Sequence, residues 1–112
     1  MFSETEVVTV IETISVYELR GWVQAGWVSP AEGETGPLYD ELDLARIRLV
    51  AQLRRDLAVA DDAMPLVLSL LDQVHGLRRE LRTLVQAVET QPSPVRADIQ
   101  SAYKALLQDR EG

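Results

Sequence analysis

Residues 14–30 read ISVYELRGWVQAGWVSP and contain both the start and the stop of a helix. Ser15 is placed as an N-cap with Glu18 three positions later, which is the spacing of a capping box. Gly26 follows as a helix terminator. We therefore predict a short amphipathic helix here. Its apolar face consists of Leu19, Trp22 and Val23.

A second capping-box pattern lies upstream, where Ser3 precedes Glu6 by three positions. The apolar residues that follow are Val7, Val8, Val10 and Ile11. This β-branched run favours a short helix after the cap, although a strand fits it as well. The two segments together predict two short helices joined by a tight turn.

A loop and a longer helix follow this pair. Residues 29–37, SPAEGETGP, hold two prolines and two glycines and predict a loop or a small hairpin. Residues 40–59 predict a helix that opens with Asp40, Glu41 and Asp43, whose charges offset the helix dipole. Its expected apolar face is Leu42, Ala45, Ile47, Val50, Leu53 and Leu57. The arginines expected mostly on the outer side are Arg46, Arg48, Arg54 and Arg55.

The most regular pattern is a heptad seam in the second half of the chain. Asp61 or Asp62 caps this helix, Pro65 fits its first turn, and the helix should run to about Val88. Apolar residues there are spaced alternately three and four positions apart. This favours a homodimeric coiled coil, although packing on the same domain would use a similar stripe. The seam consists of Val67, Leu70, Val74, Leu77, Leu81, Leu84 and Val88.

A short terminal helix completes the chain. Ser93 and Pro94 fit its N-cap and first position, after a break at residues 89–94. We expect it to fold back on the long helix or on the partner's helix, and we expect residues 109–112 to fray. Its apolar face consists of Val95, Ile99, Tyr103 and Leu106.

The excess negative charge lies in the first part of the chain. The net charge is −7, and residues 1–43 carry nine acids against one base, whereas residues 44–112 carry nine acids and ten bases. Residues 1–43 therefore carry a net charge of −8, which repels phosphate and favours basic protein partners. Acidity of this kind also serves solubility alone.

Composition and spacing give no support for catalysis. There is no cysteine, and His75 is the only histidine, so no second histidine or cysteine completes a metal site and an exposed structural role is favoured for His75. No sharp turn presents a serine that His75 could activate. No phosphate-binding glycine loop is present, since GETG at residues 33–36 fits a turn. No apolar run reaches the length of a membrane span, and residues 1–6 lack the basic start of a signal peptide. We expect a cytoplasmic, non-enzymatic protein without a metal or cofactor.

The two tryptophans are candidates for the core or for an interface. The spacing of Trp22 from Leu19 places it in the core. Trp27, after Gly26, either covers that core or offers an exposed anchor to a partner. Burial is the commoner outcome for tryptophan.

The order of these elements is similar to that of a winged helix-turn-helix regulator of the MerR type. Residues 38–57, LYDELDLARIRLVAQLRRDL, resemble that family's aromatic residue, acidic turn and following helix. The resemblance covers residues 3–88 and implies an all-α fold. A winged-helix-like head at 3–59 precedes a dimerisation helix and a short C-terminal helix at 60–112. The matching positions in the second helix and its exit are Leu19, Arg20, Trp22, Gly26, Trp27, Val28 and Pro30.

Two departures separate this chain from DNA-binding members of that family. Those members carry arginines in the wing, where residues 36–38 are GPL, and basic or small polar residues at the start of the second helix, where residues 16–18 are VYE. Phosphate contacts supply most affinity for DNA, and an acidic head opposes it. DNA binding by this head is not expected.

The chaperone-modulator family CbpM, whose members resemble degenerate MerR heads, shows the same loss. Residues 53–81, LRRDLAVADDAMPLVLSLLDQVHGLRREL, resemble its basic helix end, acidic proline-containing break, apolar run and heptad helix. CbpM proteins bind the J-domain of the DnaJ-type co-chaperone CbpA. Because J-domains present a basic helix to Hsp70, the resemblance implies an acidic modulator that covers this helix and blocks the Hsp70 contact.

From charge and expected exposure, we hypothesise that carboxylates of the head supply the charge and Trp27 the apolar anchor for this J-domain. The alternative is a dimeric DNA-binding regulator of the MerR type. Arg20 and the arginines of residues 40–59 support this alternative. A helical dimer with another protein partner is a third interpretation. The carboxylates are Glu18, Asp40, Glu41 and Asp43.

Overall fold

The computed structural model describes residues 1–111, and side-chain environments through Arg110. The helix-rich, winged helix-turn-helix class is confirmed, with a small hairpin where a loop or hairpin is predicted. Gly112, the end of the stretch expected to fray, lies outside the described residues. The elements are α1 (Glu4–Val10), α2 (Val16–Gln24), β1 (Ala31–Gly33), β2 (Gly36–Leu38), α3 (Glu41–Arg55), α4 (Met64–Glu89) and α5 (Ser93–Glu111).

The first three helices each begin with a reciprocal capping box. In each, the N-cap side chain accepts from a backbone N–H three residues on, and that residue's carboxylate accepts from the N-cap N–H. The six bonds measure 2.8 to 3.2 Å. Local side chains therefore satisfy donors that a helix start leaves unpaired. The pairs are Ser3 with Glu6, Ser15 with Glu18, and Asp40 with Asp43.

Gly26 ends α2 as the sequence predicts. Its φ of +82° lies in the left-handed region that favours glycine. Its N–H donates to the Val23 carbonyl at 3.1 Å, and the Trp27 N–H donates to the Trp22 carbonyl at 3.0 Å. These two bonds form a Schellman motif, which turns the chain back so that Trp27 reaches the core.

The wing is a two-stranded antiparallel hairpin in which Ala31 pairs with Leu38 and Gly33 with Gly36. Gly36 adopts a φ of +140° at the tight turn, which a side chain would strain. Beyond the wing, Phe2 and Tyr39 exchange two backbone hydrogen bonds of 2.7 and 2.8 Å. The start of the chain is thereby tied to the segment that leads into α3.

The structure separates into an N-terminal unit, Met1–Ser69, and a C-terminal unit that begins at Leu70. The sequence predicts a domain boundary between residues 59 and 60, and this boundary stays a prediction. All buried apolar side chains found among the described residues belong to the N-terminal unit. They are Val7, Ile11, Ile14, Leu19, Trp22, Trp27, Val28, Tyr39, Leu44, Ile47, Val50, Ala51, Leu53, Met64 and Leu68.

The buried face of α3 differs from the predicted one. Leu42 is 80% exposed and Leu57 is 65% exposed, although both are predicted as apolar-face residues. Leu44 is buried instead, because the face that meets the core runs through Leu44 and Ile47 at helical spacing, two positions out of phase with Leu42. The buried residues of α3 are Leu44, Ile47, Val50, Ala51 and Leu53.

Helix α3 also ends earlier than predicted, at Arg55 instead of about residue 59. Ala58 adopts a left-handed φ of 51°, and the Val59 N–H donates to the Leu53 carbonyl at 2.9 Å. This turn leaves Leu57 beyond the helix. Helices α4 and α5 follow the predicted limits to within about three residues.

None of the helices in the described part of the chain is long and apolar enough to cross a membrane.

Candidate partner-binding surface

An acidic patch, defined as residues 40–43, opens α3. The Asp40 carboxylate accepts from the Asp43 N–H at 2.8 Å, and the Asp43 carboxylate accepts from the Asp40 N–H at 2.9 Å. Partial burial raises the pKa of Asp43. Glu41 is exposed beside them. Three carboxylates therefore lie within one helical turn, two of them held by the cap.

An ion pair lies next to this patch. The Arg20 guanidinium on α2 donates from Nη2 to Glu4 Oε1 at 2.7 Å and from Nε to Glu4 Oε2 at 3.0 Å. This hydrogen bonding lowers the pKa of Glu4. Burial raises the pKa of Tyr39, and the nearby charges of Glu4 and Asp43 raise it further. The phenol of Tyr39 is thus within the electrostatic influence of both Glu4 and Asp43.

Glu18 is in a different place. Its Oε1 accepts from Arg55 Nη2 at 3.2 Å, as well as capping the start of α2. Arg55 ends α3, whereas Glu41 begins it, and fourteen residues of helix span about 21 Å. The structure therefore brings Asp40, Glu41 and Asp43 together but leaves Glu18 at the opposite end of α3.

Trp27 is buried, with 8% of its surface exposed. Its carbonyl accepts from Arg46 Nε at 3.0 Å, which fixes the backbone there against α3. The sequence allows Trp27 either to cover the core or to be an exposed anchor, and the structure places it in the core. Its role as a partner anchor stays a prediction, and its burial leaves little surface to serve it.

Several apolar side chains of the N-terminal unit are exposed, and two of them lie in the first turns of α2 and α3. Tyr17, in the first turn of α2, is 88% exposed, and Leu42, within the acidic patch, is 80% exposed. The sequence analysis missed Leu42 because it assigned this residue to the core. The spacing of Leu44, Ile47 and Ala51 was the pattern that would have excluded it.

The model of the MerR HTH family regulatory proteins matches residues 3–86, which is three quarters of the chain. The chain belongs to the MerR HTH family. Searches of curated proteins and of solved structures found no match. Helix α5 lies outside the matched residues.

The wing of this MerR-family chain is acidic. Glu32 lies in β1 and Glu34 in the hairpin turn, both are exposed, and residues 31–38 include no lysine or arginine. A wing of this charge repels a phosphate backbone at the place where DNA-binding relatives carry arginine.

The arginines that favour a DNA-binding interpretation are mostly engaged within the protein. Arg20 is paired with Glu4, Arg54 with Asp61 at 2.9 Å, and Arg55 with Glu18. Exposed pairs of this kind are weak, so each arginine can be released at small cost. In each of these three pairs the carboxylate neutralises part of the positive charge of the arginine.

The predicted dimerisation seam lies on α4. Val67 and Val88 are half-buried, and the remaining side chains are exposed by 41% to 64%. No residue of the seam is therefore buried among the described side chains. Those remaining residues are Leu70, Val74, Leu77, Leu81 and Leu84.

His75 is exposed on α4, off this seam. Within residues 1–111, no group of three or more histidine, cysteine, aspartate or glutamate side chains is arranged to hold a metal ion.

Proposed function

We propose that this MerR-family protein is a homodimeric, non-enzymatic modulator that binds the J-domain of a CbpA/DnaJ-type co-chaperone and blocks its contact with Hsp70. The observation that carries the proposal is the acidic patch with Leu42 exposed at its centre. The J-domain is named from the resemblance of residues 53–81 to CbpM proteins. A cytoplasmic location stays a prediction.

The chemistry of the patch suits a basic helix. Asp40, Glu41 and Asp43 present negative charge along one turn, and Leu42 offers an apolar side chain among them. Complementary charge accelerates encounter, whereas a desolvated apolar contact at the centre contributes affinity. We assign the anchor role to Leu42 in preference to Trp27, because Trp27 lies in the core.

Glu18 plays a secondary role in this proposal. It is separated from the acidic patch by the length of α3, and Arg55 neutralises part of its charge. It contributes to the long-range field that steers a basic partner. Direct contact with the J-domain falls to residues 40–43.

The test removes charge from the acidic patch and keeps the side-chain hydrogen bond that caps α3. Asparagine is as good an N-cap as aspartate, so Asp40→Asn with Glu41→Gln removes two charges and keeps the cap. The matched control is Glu32→Gln with Glu34→Gln, which removes two exposed charges from the wing. Both variants have the same net charge, so a general effect of charge is equal in the two.

Calorimetric titration against the J-domain of the CbpA-like protein from the same cell, at two salt concentrations, measures the outcome. Wild-type binding should weaken with salt. The patch variant should bind about tenfold more weakly, and the wing control should change by less than about twofold. Equal losses in both variants would remove the patch from the proposal. Absence of binding to this J-domain and its sibling J-domains would reject the proposal.

Membership in the MerR HTH family supports a second candidate, a dimeric DNA-binding transcription regulator. Its specific prediction is binding to duplex DNA with an affinity that falls steeply with salt. The acidic wing opposes it. Glu32→Lys with Glu34→Lys would then strengthen DNA binding, while leaving J-domain binding through residues 40–43 unchanged.

A further inference from the structure

The C-terminal unit has no core of its own. Between Leu70 and Arg110, the part of it whose side chains the structure describes, every residue is exposed or half-buried. Leu77 and Leu81 on α4 remain 64% and 61% exposed, so α5 of the same chain does not cover them. Apolar patches this extensive mark an interaction site.

Helix α5 carries an apolar face of its own, outside the residues that the family model matches. Its members recur at helical spacing, whereas Ser101, Lys104 and Gln108 form an exposed polar face on the opposite side. In the described part of the chain, none of the side chains of this face is buried. Its exposed residues are Val95 (41%), Ile99 (39%), Tyr103 (62%), Leu106 (64%) and Leu107 (38%).

We propose that the apolar face of α5 packs on a second copy of this chain, so that the core of the dimer is built from four helices, α4 and α5 of each copy. This inference rests on the homodimer in the proposed function and extends it to a helix outside the family-matched region. The terminal helix is then half of the dimer core.

Helix length fits a four-helix arrangement. From Leu70 to Glu89, α4 spans twenty residues, or about 30 Å, and the nineteen residues of α5 span about 28 Å. A connection of three residues, 90–92, separates them. Helices of matched length with short connections are the building units of such bundles.

The charge distribution identifies a second copy as the occupant. The N-terminal unit carries twelve acids and five bases, whereas the C-terminal unit carries six acids and six bases. Two C-terminal units can therefore meet without net repulsion, whereas two N-terminal units would meet as −7 against −7. A strongly acidic or basic partner finds no opposite net charge on the C-terminal unit.

The exposed area is also sufficient. Eleven large apolar side chains from Leu70 onward are each between 38% and 64% exposed. Their combined apolar surface is of the order of the roughly 800 Å² that each partner of a stable complex buries. A seam on α4 alone leaves five of them, those of α5, in water.

Sedimentation velocity over a range of concentrations tests the proposal with the full-length protein. Leu106→Glu on α5 should weaken the dimer by about 100-fold or more, because a symmetric interface contains the substitution twice. Leu81→Glu on α4 should do the same. The matched control, Gln108→Glu, adds the same charge on the opposite face of α5 and should leave the mass of the dimer unchanged.

The possible results are distinct. A monomeric wild type overturns the proposal, and so does a dimer that survives Leu106→Glu but is lost in Leu81→Glu. Loss of the dimer in both variants with an intact Gln108→Glu dimer supports it. Hydrogen exchange of α1 to α3 checks that the N-terminal unit stays folded. J-domain titration is a separate readout, so a monomeric protein that still binds the J-domain rejects the homodimer and its four-helix core but leaves the J-domain-binding proposal in place.

Discussion

The two units of this chain bury their apolar residues in different ways. The N-terminal unit encloses all fifteen buried apolar side chains found among the described residues and holds the whole net charge of −7. The C-terminal unit has a net charge of zero and exposes its apolar side chains along two helices. The N-terminal unit is thus stabilised by burial within one chain, whereas our proposal is that association stabilises the C-terminal unit.

The local structure follows the same division. Each of the three helices that start within the head has a capping box made by its own sequence. Most of the stability of a protein helix such as α4, which has 26 residues, comes from packing of its apolar face. Within one chain α4 buries Met64 and Leu68, whereas its described side chains from Leu70 onward are exposed or half-buried.

The largest expected effect is on the free energy of unfolding, when a leucine is replaced by alanine in one unit or in the other. Leu19 is fully buried, and Leu81 is 61% exposed. Leu19→Ala should lower the free energy of unfolding by about 3 kcal/mol, because it loses buried surface and leaves a cavity. At concentrations where the protein is monomeric, Leu81→Ala should change it by less than about 0.5 kcal/mol. Urea unfolding followed by circular dichroism measures both.

The concentration dependence of these two stability changes tests the comparison further. Leu81→Ala should become destabilising as concentration rises into the range where the wild type dimerises, since association stabilises the folded state. The effect of Leu19→Ala should stay the same. A concentration-independent Leu81→Ala variant would show that the C-terminal unit does not use association for its stability.

An effect of intermediate size on stability is expected when the serine at the start of α2 or of α5 is replaced by alanine. Ser15→Ala removes the N-cap of α2 and should cost about 1 kcal/mol. Ser93→Ala, at the start of α5, removes only an exposed bond from Arg96 at 3.0 Å and should leave the unfolding of the N-terminal unit unchanged. Ser15→Thr is the control, because threonine retains the capping oxygen. A similar loss from Ser93→Ala would contradict the division into two units.

Local patterns were the part of the fold that the sequence could predict. The caps at Ser3 and Ser15 depend on residues only three positions apart, so their spacing is sufficient to predict them. Asp40 and Asp43 have the same spacing, but they were predicted only to offset the helix dipole, and the structure adds the capping box. The stop at Gly26 is equally local. For residues 29–37 the sequence predicts either a loop or a small hairpin, because strand pairing depends on contacts that composition does not specify.

The buried side of α3 depends on tertiary packing, and the sequence analysis did not predict it correctly. Leucine is as apolar at position 42 as at position 44, so only the direction of the core distinguishes them. Leu42 was therefore assigned to the interior and Trp27 considered as a surface anchor, whereas the structure exposes Leu42 and buries Trp27. The clustering of Asp40, Glu41 and Asp43 was predictable, since they share one turn. The separation of Glu18 from them was not.

The smallest expected effect is in the pH dependence of two carboxyls of the N-terminal unit. The pKa of Glu4 is lowered from 4.5 by hydrogen bonding from Arg20, so its stabilising contribution is complete above 4.5 and is lost as pH falls through the lowered folded-state value. The pKa of Asp43 is raised from 3.8 by burial, so its contribution is complete below 3.8 and is lost as pH rises through the raised folded-state value.

These opposite signs partly cancel in the wild type, so single variants are required to separate them. Glu4→Gln should be less stable than the wild type at pH 7, and the difference should shrink as pH falls below 4.5. Asp43→Asn keeps a capping acceptor, and its stability relative to the wild type should be higher at pH 7 than at pH 3. Urea midpoints between pH 3 and 7 measure both. If both variants changed with pH in the same direction, burial would not be the dominant influence on Asp43, and the acidic patch would be more open to water than its geometry indicates.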